Sequence, residues 1–212
     1  MELIRKDFMK FIREDFIKVS SVNSIKVLRL NSRKVSRLNS KRHQPIHFYL
    51  DNTFYFLTAH TYQDQPILSS DSYKIMLLKK IRKWLKEYHY NLFAWVILDN
   101  HYHLLFQTQK GADLPKITAK IHTGFSYEVN KRENKQGRKI WQNYWDKCLR
   151  SEKDFWRHFN YVHHNPIKHN YVKQMEDYKF SSFNYWLKVN GINWLMSVFE
   201  RYPIIDFTIE GD

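Results

Sequence analysis

The chain has 212 residues, 43% of them apolar and 17% aromatic, enough for one packed domain with an appendage, which excludes disorder as the whole account. Thirty-five Lys and Arg against 21 Asp and Glu give a formal net charge of +14, which points to a polyanion, nucleic acid first, against the plainer alternative of a basic solvated surface. No apolar run reaches the roughly eighteen residues of a membrane span, charges fall within the first seven residues, and the lone Cys148 offers neither an intrachain disulfide nor a thiolate pair for zinc, so a cytoplasmic protein is expected.

The charge is uneven along the chain. Residues 1–44 hold 12 Lys and Arg against four Asp and Glu, with neither Gly nor Pro, and contain a short near-repeat, Arg29-Leu-Asn-Ser-Arg-Lys34 and Arg37-Leu-Asn-Ser-Lys-Arg42. Phe8, Phe11, Ile12 and Phe16 predict a helix over 3–19, while 20–44, rich in Ser and basic residues, reads as an arm or linker. A phosphate-gripping arm and an incidental upstream extension both fit.

The composition turns aromatic and β-branched from Phe48. Phe54 to Thr61 reads as a strand bounded by Asp51-Asn52 and Asp64-Gln-Pro66. Ser70 or Asp71 offers an N-cap to a helix over about 72–89, with Leu77, Ile81, Trp84, Leu85 and Tyr88 at helical spacing. Leu92–Leu98 and His101–Thr108 read as two strands of a hairpin, with Asp99-Asn100 in the turn. Leu114, Ile117, Ile121, Phe125 and Val129 mark one face of a second helix over about 114–132. A basic loop leads to Trp141–Arg150, whose second half predicts a fourth strand, and Ser151-Glu-Lys-Asp154 resembles a capping box opening a third helix that ends near Asn165-Pro166.

Strand, helix, strand, strand, helix, strand is the order of a ferredoxin-like α+β domain, a split βαβ with an antiparallel sheet, here with a basic N-terminal arm. Such a sheet is expected to carry its helices on one face and leave the other face or an edge for a ligand. The expected division is an arm over 1–44, a catalytic domain over 45–190 and a C-terminal tail over 191–212. Topology alone assigns no function.

Two sequence features carry chemistry. In a strand, His101 and His103 project to one side while Tyr102, Leu104 and Phe106 project to the other, so two imidazoles about 7 Å apart along the chain can converge on a cation. Tyr161 and Asn165 lie four apart, which sets a phenolic hydroxyl and an amide oxygen on one helix face, although Pro166 biases Asn165 out of helical geometry. Either feature read alone is more often structural. Together they suggest a tyrosine nucleophile attacking a phosphate polarised by a divalent cation on His101, His103 and the Asn165 oxygen, to leave a covalent phosphotyrosine that a free 3′ hydroxyl can later attack. Imidazole and oxygen ligation accommodates Mg²⁺ or Mn²⁺.

The stretch Trp95-Val-Ile-Leu-Asp-Asn-His-Tyr-His-Leu-Leu-Phe106 resembles the His-hydrophobic-His strand of the HUH single-tyrosine, IS200-like transposases. Tyr161-Val-His-His-Asn-Pro-Ile-Lys168, followed by Tyr171-Val172 and Asp177-Tyr-Lys-Phe-Ser-Ser182, resembles the tyrosine segment of the REP-associated tyrosine transposases, and Phe125 to Gln142 is similar to their intervening helix and loop. The resemblance spans about residues 48–186. It implies cleavage and rejoining of single-stranded DNA near repetitive extragenic palindrome hairpins, through a 5′-phosphotyrosine and with Mg²⁺ or Mn²⁺. It also implies Tyr161 as nucleophile, His101 and His103 as metal ligands and Asn165 in the third-ligand position. Two departures stand out. Leu98-Asp99-Asn100 replaces the usual Met-Pro-Asn, and His163, His164 and His169 add imidazoles that could exchange with the third ligand.

The implied partner is single-stranded or hairpin DNA, with no membrane and with monomer and homodimer both open. Lys120, Lys131, Arg132, Lys135, Arg138 and Lys139 are the expected phosphate track. The competing function is a non-catalytic single-stranded DNA- or RNA-binding module of the same topology. It would stack bases on sheet aromatics and need no metal, but no RNP-like aromatic segment is present on an inner strand.

Overall fold

The computed structural model describes residues 49–205; the helix expected over 3–19, the arm to residue 44 and its near-repeat lie outside them. Strands β1 (Phe54–His60), β2 (Asn91–Ile97), β3 (His101–Gln107) and β4 (Trp145–Cys148) alternate with helices α1 (Asp71–Glu87), α2 (Leu114–Arg132) and α3 (Glu152–Lys168). Two shorter helices, α4 (Phe183–Asn190) and α5 (Ile192–Arg201), follow.

The sheet order is β2-β3-β1-β4 with every neighbouring pair antiparallel. This is the expected ferredoxin-like topology, with β3 inserted between the two strands of the β1-α1-β2 unit. The expected caps form: Ser70 accepts from the Tyr73 amide at the start of α1, and Ser151 accepts from the Asp154 amide at the start of α3. The β2–β3 turn is closed by the Leu98 amide donating to the His101 carbonyl at 2.8 Å.

Strand alternation divides the core between the two faces. Tyr55, Leu57, Ala59, Tyr102, Leu104 and Phe106 are buried with Leu77, Ile81 and Leu85 of α1 and Ile117, Ile121 and Phe125 of α2. On the opposite face Phe54 and Phe93 meet Phe155 of α3 at ring separations of 5.1 and 5.4 Å, and Phe56 meets Tyr161 at 5.9 Å. Burying each such phenyl ring stabilises the fold by about 2 kcal/mol.

That second face is not open, contrary to the sequence-based expectation. Helix α3 lies across β2 and β3 because its apolar stripe, Phe155, Phe159 and Val162, is as fully buried as those of α1 and α2. Helix α3 also runs past the expected end at Asn165-Pro166, as far as Lys168. A proline this near the C-terminus removes little helical hydrogen bonding. The last turn is instead secured by the His169 amide on the Asn165 carbonyl (3.1 Å) and the Tyr171 amide on the Pro166 carbonyl (2.9 Å).

Part of 191–212 forms α5, which packs on α3. The Asn160 side-chain amide donates to the Val198 and Tyr202 carbonyls at 3.1 and 2.8 Å, satisfying acceptors at the α5 C-terminus. The outer edge of β2 is also covered. The Ile97 amide donates to the Phe180 carbonyl (2.9 Å), the Ser182 amide to the Trp95 carbonyl (2.9 Å) and the Trp186 indole to the Phe93 carbonyl (2.7 Å).

Candidate active site

The site lies on the α3 face, where β1 and β3 pair in a fixed register. Thr58 faces His103 and His60 faces His101 across the strands. The two β3 imidazoles lean together, with ring centroids 4.9 Å apart at 70°, closer than the strand repeat alone would set them. His103 Nδ1 is hydrogen-bonded to the Thr58 hydroxyl at 2.8 Å, and its ring stacks on Phe56 at 5.3 Å. His101 Nδ1 is 2.7 Å from the Asn100 oxygen, and its ring stacks on His60 at 4.9 Å and 12°. His60 in turn contacts Asp64 through Nδ1 at 2.8 Å.

From above, α3 lowers Tyr161 and Asn165 onto these rings. The Tyr161 ring meets the His103 ring edge-on at 5.4 Å, and the Asn165 oxygen lies 3.3 Å from His101 Nε2. The four expected residues therefore converge, all at 2% exposure or less. Because α3 remains helical through residue 165, Asn165 keeps its place one turn beyond Tyr161.

The donor set is two imidazole nitrogens and an amide oxygen. His101 meets an amide oxygen at each ring nitrogen, Asn100 at Nδ1 and Asn165 at 3.3 Å from Nε2, and a neutral imidazole has one N–H to give; when Nδ1 donates, the Nε2 lone pair and the Asn165 oxygen face each other. The buried Asn165 Nδ2 makes no hydrogen bond. Facing lone pairs suit a shared cation, and nitrogen with oxygen donors suits Mn²⁺ or Mg²⁺. Among the described residues no group of three or more His, Cys, Asp or Glu is arranged to hold a metal; beside the two imidazoles the Asn165 amide supplies an oxygen donor.

The extra histidines have different surroundings. His163 points away from the site, with Nε2 2.7 Å from the Ser182 hydroxyl and its ring against Phe159 and Phe183; burial lowers its pKa to about 3, so it is neutral. His169 lies beside the site, its ring 4.9 Å from that of His101. Asp99, the residue that departs from the usual proline, pairs with the buried Lys74 at 2.6 Å. The Lys74 ammonium sits 5.2–5.8 Å from the Tyr171, Tyr178 and Phe180 rings. That ion pair anchors the turn leading into His101 without a proline.

The basic residues are divided between two roles. Arg138 is held by Glu133 at 2.8 Å and by the Asn130 oxygen at 3.2 Å, and Lys120 lies 4.2 Å over the Trp84 ring. Lys131, Arg132, Lys135 and Lys139 are exposed, with Lys135 3.6 Å from Glu133 and Lys139 4.4 Å over the Tyr62 ring. Sequence reasoning missed Thr58, His60 and Lys168, the last of which donates to the Tyr161 hydroxyl at 3.4 Å. Strand register would have been needed for the first two, and a helix carried through Pro166 for the third.

A split βαβ sheet with a His-x-His strand facing a helical tyrosine defines a class of proteins, and comparison with known proteins gives the family. The family model described as "Transposase IS200 like" matches residues 50–165, and the chain belongs to that family. It is 28% identical over 139 residues to a REP-associated tyrosine transposase of Escherichia coli, covering 65% of this chain and 80% of that one. It is 34% identical over 109 residues to a Haemophilus influenzae protein assigned provisionally to the same group, covering 47% of this chain and 62% of that one. Among solved structures it resembles a REP-associated tyrosine transposase bound to a REP hairpin, with a TM-score of 0.61 and 25% identity over 73% of this chain and 88% of the other.

Proposed function

We propose that this chain cuts and rejoins single-stranded DNA at hairpins of repetitive extragenic palindromes, through a covalent 5′-phosphotyrosine on Tyr161. The observation that carries the reading is the convergence of Tyr161 and Asn165 from α3 with His101 and His103 from β3 in one patch. The hairpin is supported by the relative solved on a REP hairpin.

His101, His103 and Asn165 would hold the Mg²⁺ or Mn²⁺ ion. Bound there, the cation supplies Lewis-acid polarisation of the scissile phosphate. The protein's own residues do the rest. Thr58 and Asn100 orient the two rings through their Nδ1 atoms, which leaves Nε2 of each imidazole as the nitrogen available to the ion. Phe56 and His103 hold the Tyr161 ring edge-on, which aims its hydroxyl and limits the rotamers it must lose to react. The Tyr161 oxygen forms a bond to phosphorus as the bond to the 3′ oxygen breaks. In the reverse direction a 3′ hydroxyl attacks the phosphotyrosine and rejoins the strand without an external energy source. Lys131, Arg132, Lys135 and Lys139 are the exposed cations left to follow the DNA backbone.

The test is covalent capture. A hairpin oligonucleotide with single-stranded flanks and Mn²⁺ should yield a protein–DNA adduct that resists denaturation, and chelation should abolish it. Binding that persists without metal and without any adduct would return the protein to the non-catalytic binding class.

A further inference from the structure

We propose that Lys168 is a catalytic residue, whose ammonium neutralises the non-bridging phosphate oxygens as the Tyr161–phosphorus bond forms and breaks. This rests on the reading of Tyr161 as nucleophile. Lys168 stands seven residues, two helical turns, beyond Tyr161, so both project from the same side of α3. Its Nζ donates to the Tyr161 hydroxyl at 3.4 Å and also lies 5.3 Å from the centre of the tyrosine ring. These two contacts fix the ammonium beside the reacting oxygen. Tyr161 is 1% exposed and Lys168 is partly exposed, so the lysine stands on the solvent side of the reacting oxygen, where a phosphate that reaches Tyr161 must pass it.

The placement complements the histidines. His101, His103 and Asn165 lie toward the sheet, whereas Lys168 comes from the helix end. A phosphorus bonded to Tyr161 Oη carries its non-bridging oxygens one bond further out, within reach of an ammonium already beside Oη. Charge builds on those oxygens in the transition state, and a preorganised cation stabilises it more than the ground state.

In the forward step the tyrosine oxygen–phosphorus bond forms, the phosphorus–3′-oxygen bond breaks, the phenolic proton passes to water and the departing 3′ oxygen takes a proton from water. Rejoining reverses each of these changes, with the same ammonium beside the phenolate as it leaves. The simpler role for Lys168 is a cation complementing the dipole at the C-terminal turn of α3, which would contribute stability without affecting the chemical step.

Single-turnover adduct formation on a flanked hairpin oligonucleotide with Mn²⁺ separates these roles. Lys168→Met should slow adduct formation about 100-fold while changing the dissociation constant for the oligonucleotide less than about threefold, and Lys168→Arg should recover most of the rate. A non-bridging phosphorothioate at the scissile position should slow one diastereomer in the wild-type chain, and that discrimination should shrink in Lys168→Met. A Lys168→Met rate within about threefold of wild type would overturn the assignment, as would parallel losses of rate and binding, a failure of Arg to rescue, or a thermal shift that accounts for the lost activity. If the wild-type chain forms no adduct, or Tyr161→Phe still forms one, the nucleophile reading falls and the lysine's role with it. A normal Tyr161-dependent adduct in Lys168→Met would sink the lysine alone.

Discussion

The two faces of the sheet use the same residue types to opposite ends. On the α1/α2 face the imidazole of His122 is stacked flat on Trp141 at 4.4 Å and takes the Tyr102 hydroxyl at 2.8 Å; burial lowers its pKa to about 3. It is a neutral packing group. On the α3 face, His101 and His103 stand one residue to either side of Tyr102, yet they are hydrogen-bonded at Nδ1 and turned toward an amide and a phenol. A histidine becomes a candidate ligand when its second nitrogen is oriented by a partner and its first meets other donors, and burial alone does not make it one.

The contrast is testable, beginning with the largest effect. Tyr161→Phe should abolish the covalent adduct while leaving the melting temperature within a few degrees, because the ring stays on Phe56 and His103. A persistent adduct would move the nucleophile elsewhere. On the other face, Phe125→Ala should destabilise the fold by about 3–5 kcal/mol, measured by denaturant unfolding, since its ring is fully buried against Tyr73 and Trp141. Its adduct rate, corrected for the folded fraction, should stay near wild type. A rate that fell with Phe125 well beyond the folded fraction would break the division between the faces.

Thr58→Val is a smaller change aimed at the orienting shell. It removes the partner of His103 Nδ1 and should weaken metal-dependent adduct formation about 10–100-fold, with excess Mn²⁺ restoring part of the loss. The smallest effect concerns the buried neutral histidines. Burial lowers His122 and His163 to about 3 and His158 to about 4, so the unfolded chain binds protons that the folded chain refuses. Their contribution is present above the ordinary histidine pKa and is lost as pH falls below it, by roughly half to 1 kcal/mol each between pH 7 and 6. Melting curves across that interval should show the decline, and a flat profile would mean that these imidazoles take up protons in the fold as readily as in the unfolded chain.

Much of this arrangement was legible in sequence. Alternation in His101–Phe106 correctly separated the histidines from Tyr102, and the spacing of Leu114 to Val129 correctly marked the buried side of α2. Ser151 capped α3 as its capping box implied. What failed had physical causes. Pro166 argued locally for a helix end, but it costs a single hydrogen bond near the C-terminus, and the backbone that follows closes the last turn on the Asn165 and Pro166 carbonyls. Sequence order could not tell that the second face of the sheet would be covered, because an amphipathic helix after the split βαβ unit can pack on either side. The Thr58–His103 bond depends on strand register, which fixes which residues face one another across 45 positions of chain.

By itself the sequence determined the inventory: a basic chain, the order of strands and helices, two imidazoles on one side of β3, and a tyrosine and an asparagine one helical turn apart. Those follow from local periodicity, which is written residue by residue. Tertiary structure alone decided that α3 crosses the histidine side of the sheet, that Asn165 rather than His163 faces His101, and that Lys168 reaches the Tyr161 hydroxyl. Each of these depends on how separate elements dock. Docking is settled by the summed burial of apolar faces, a quantity no single segment carries.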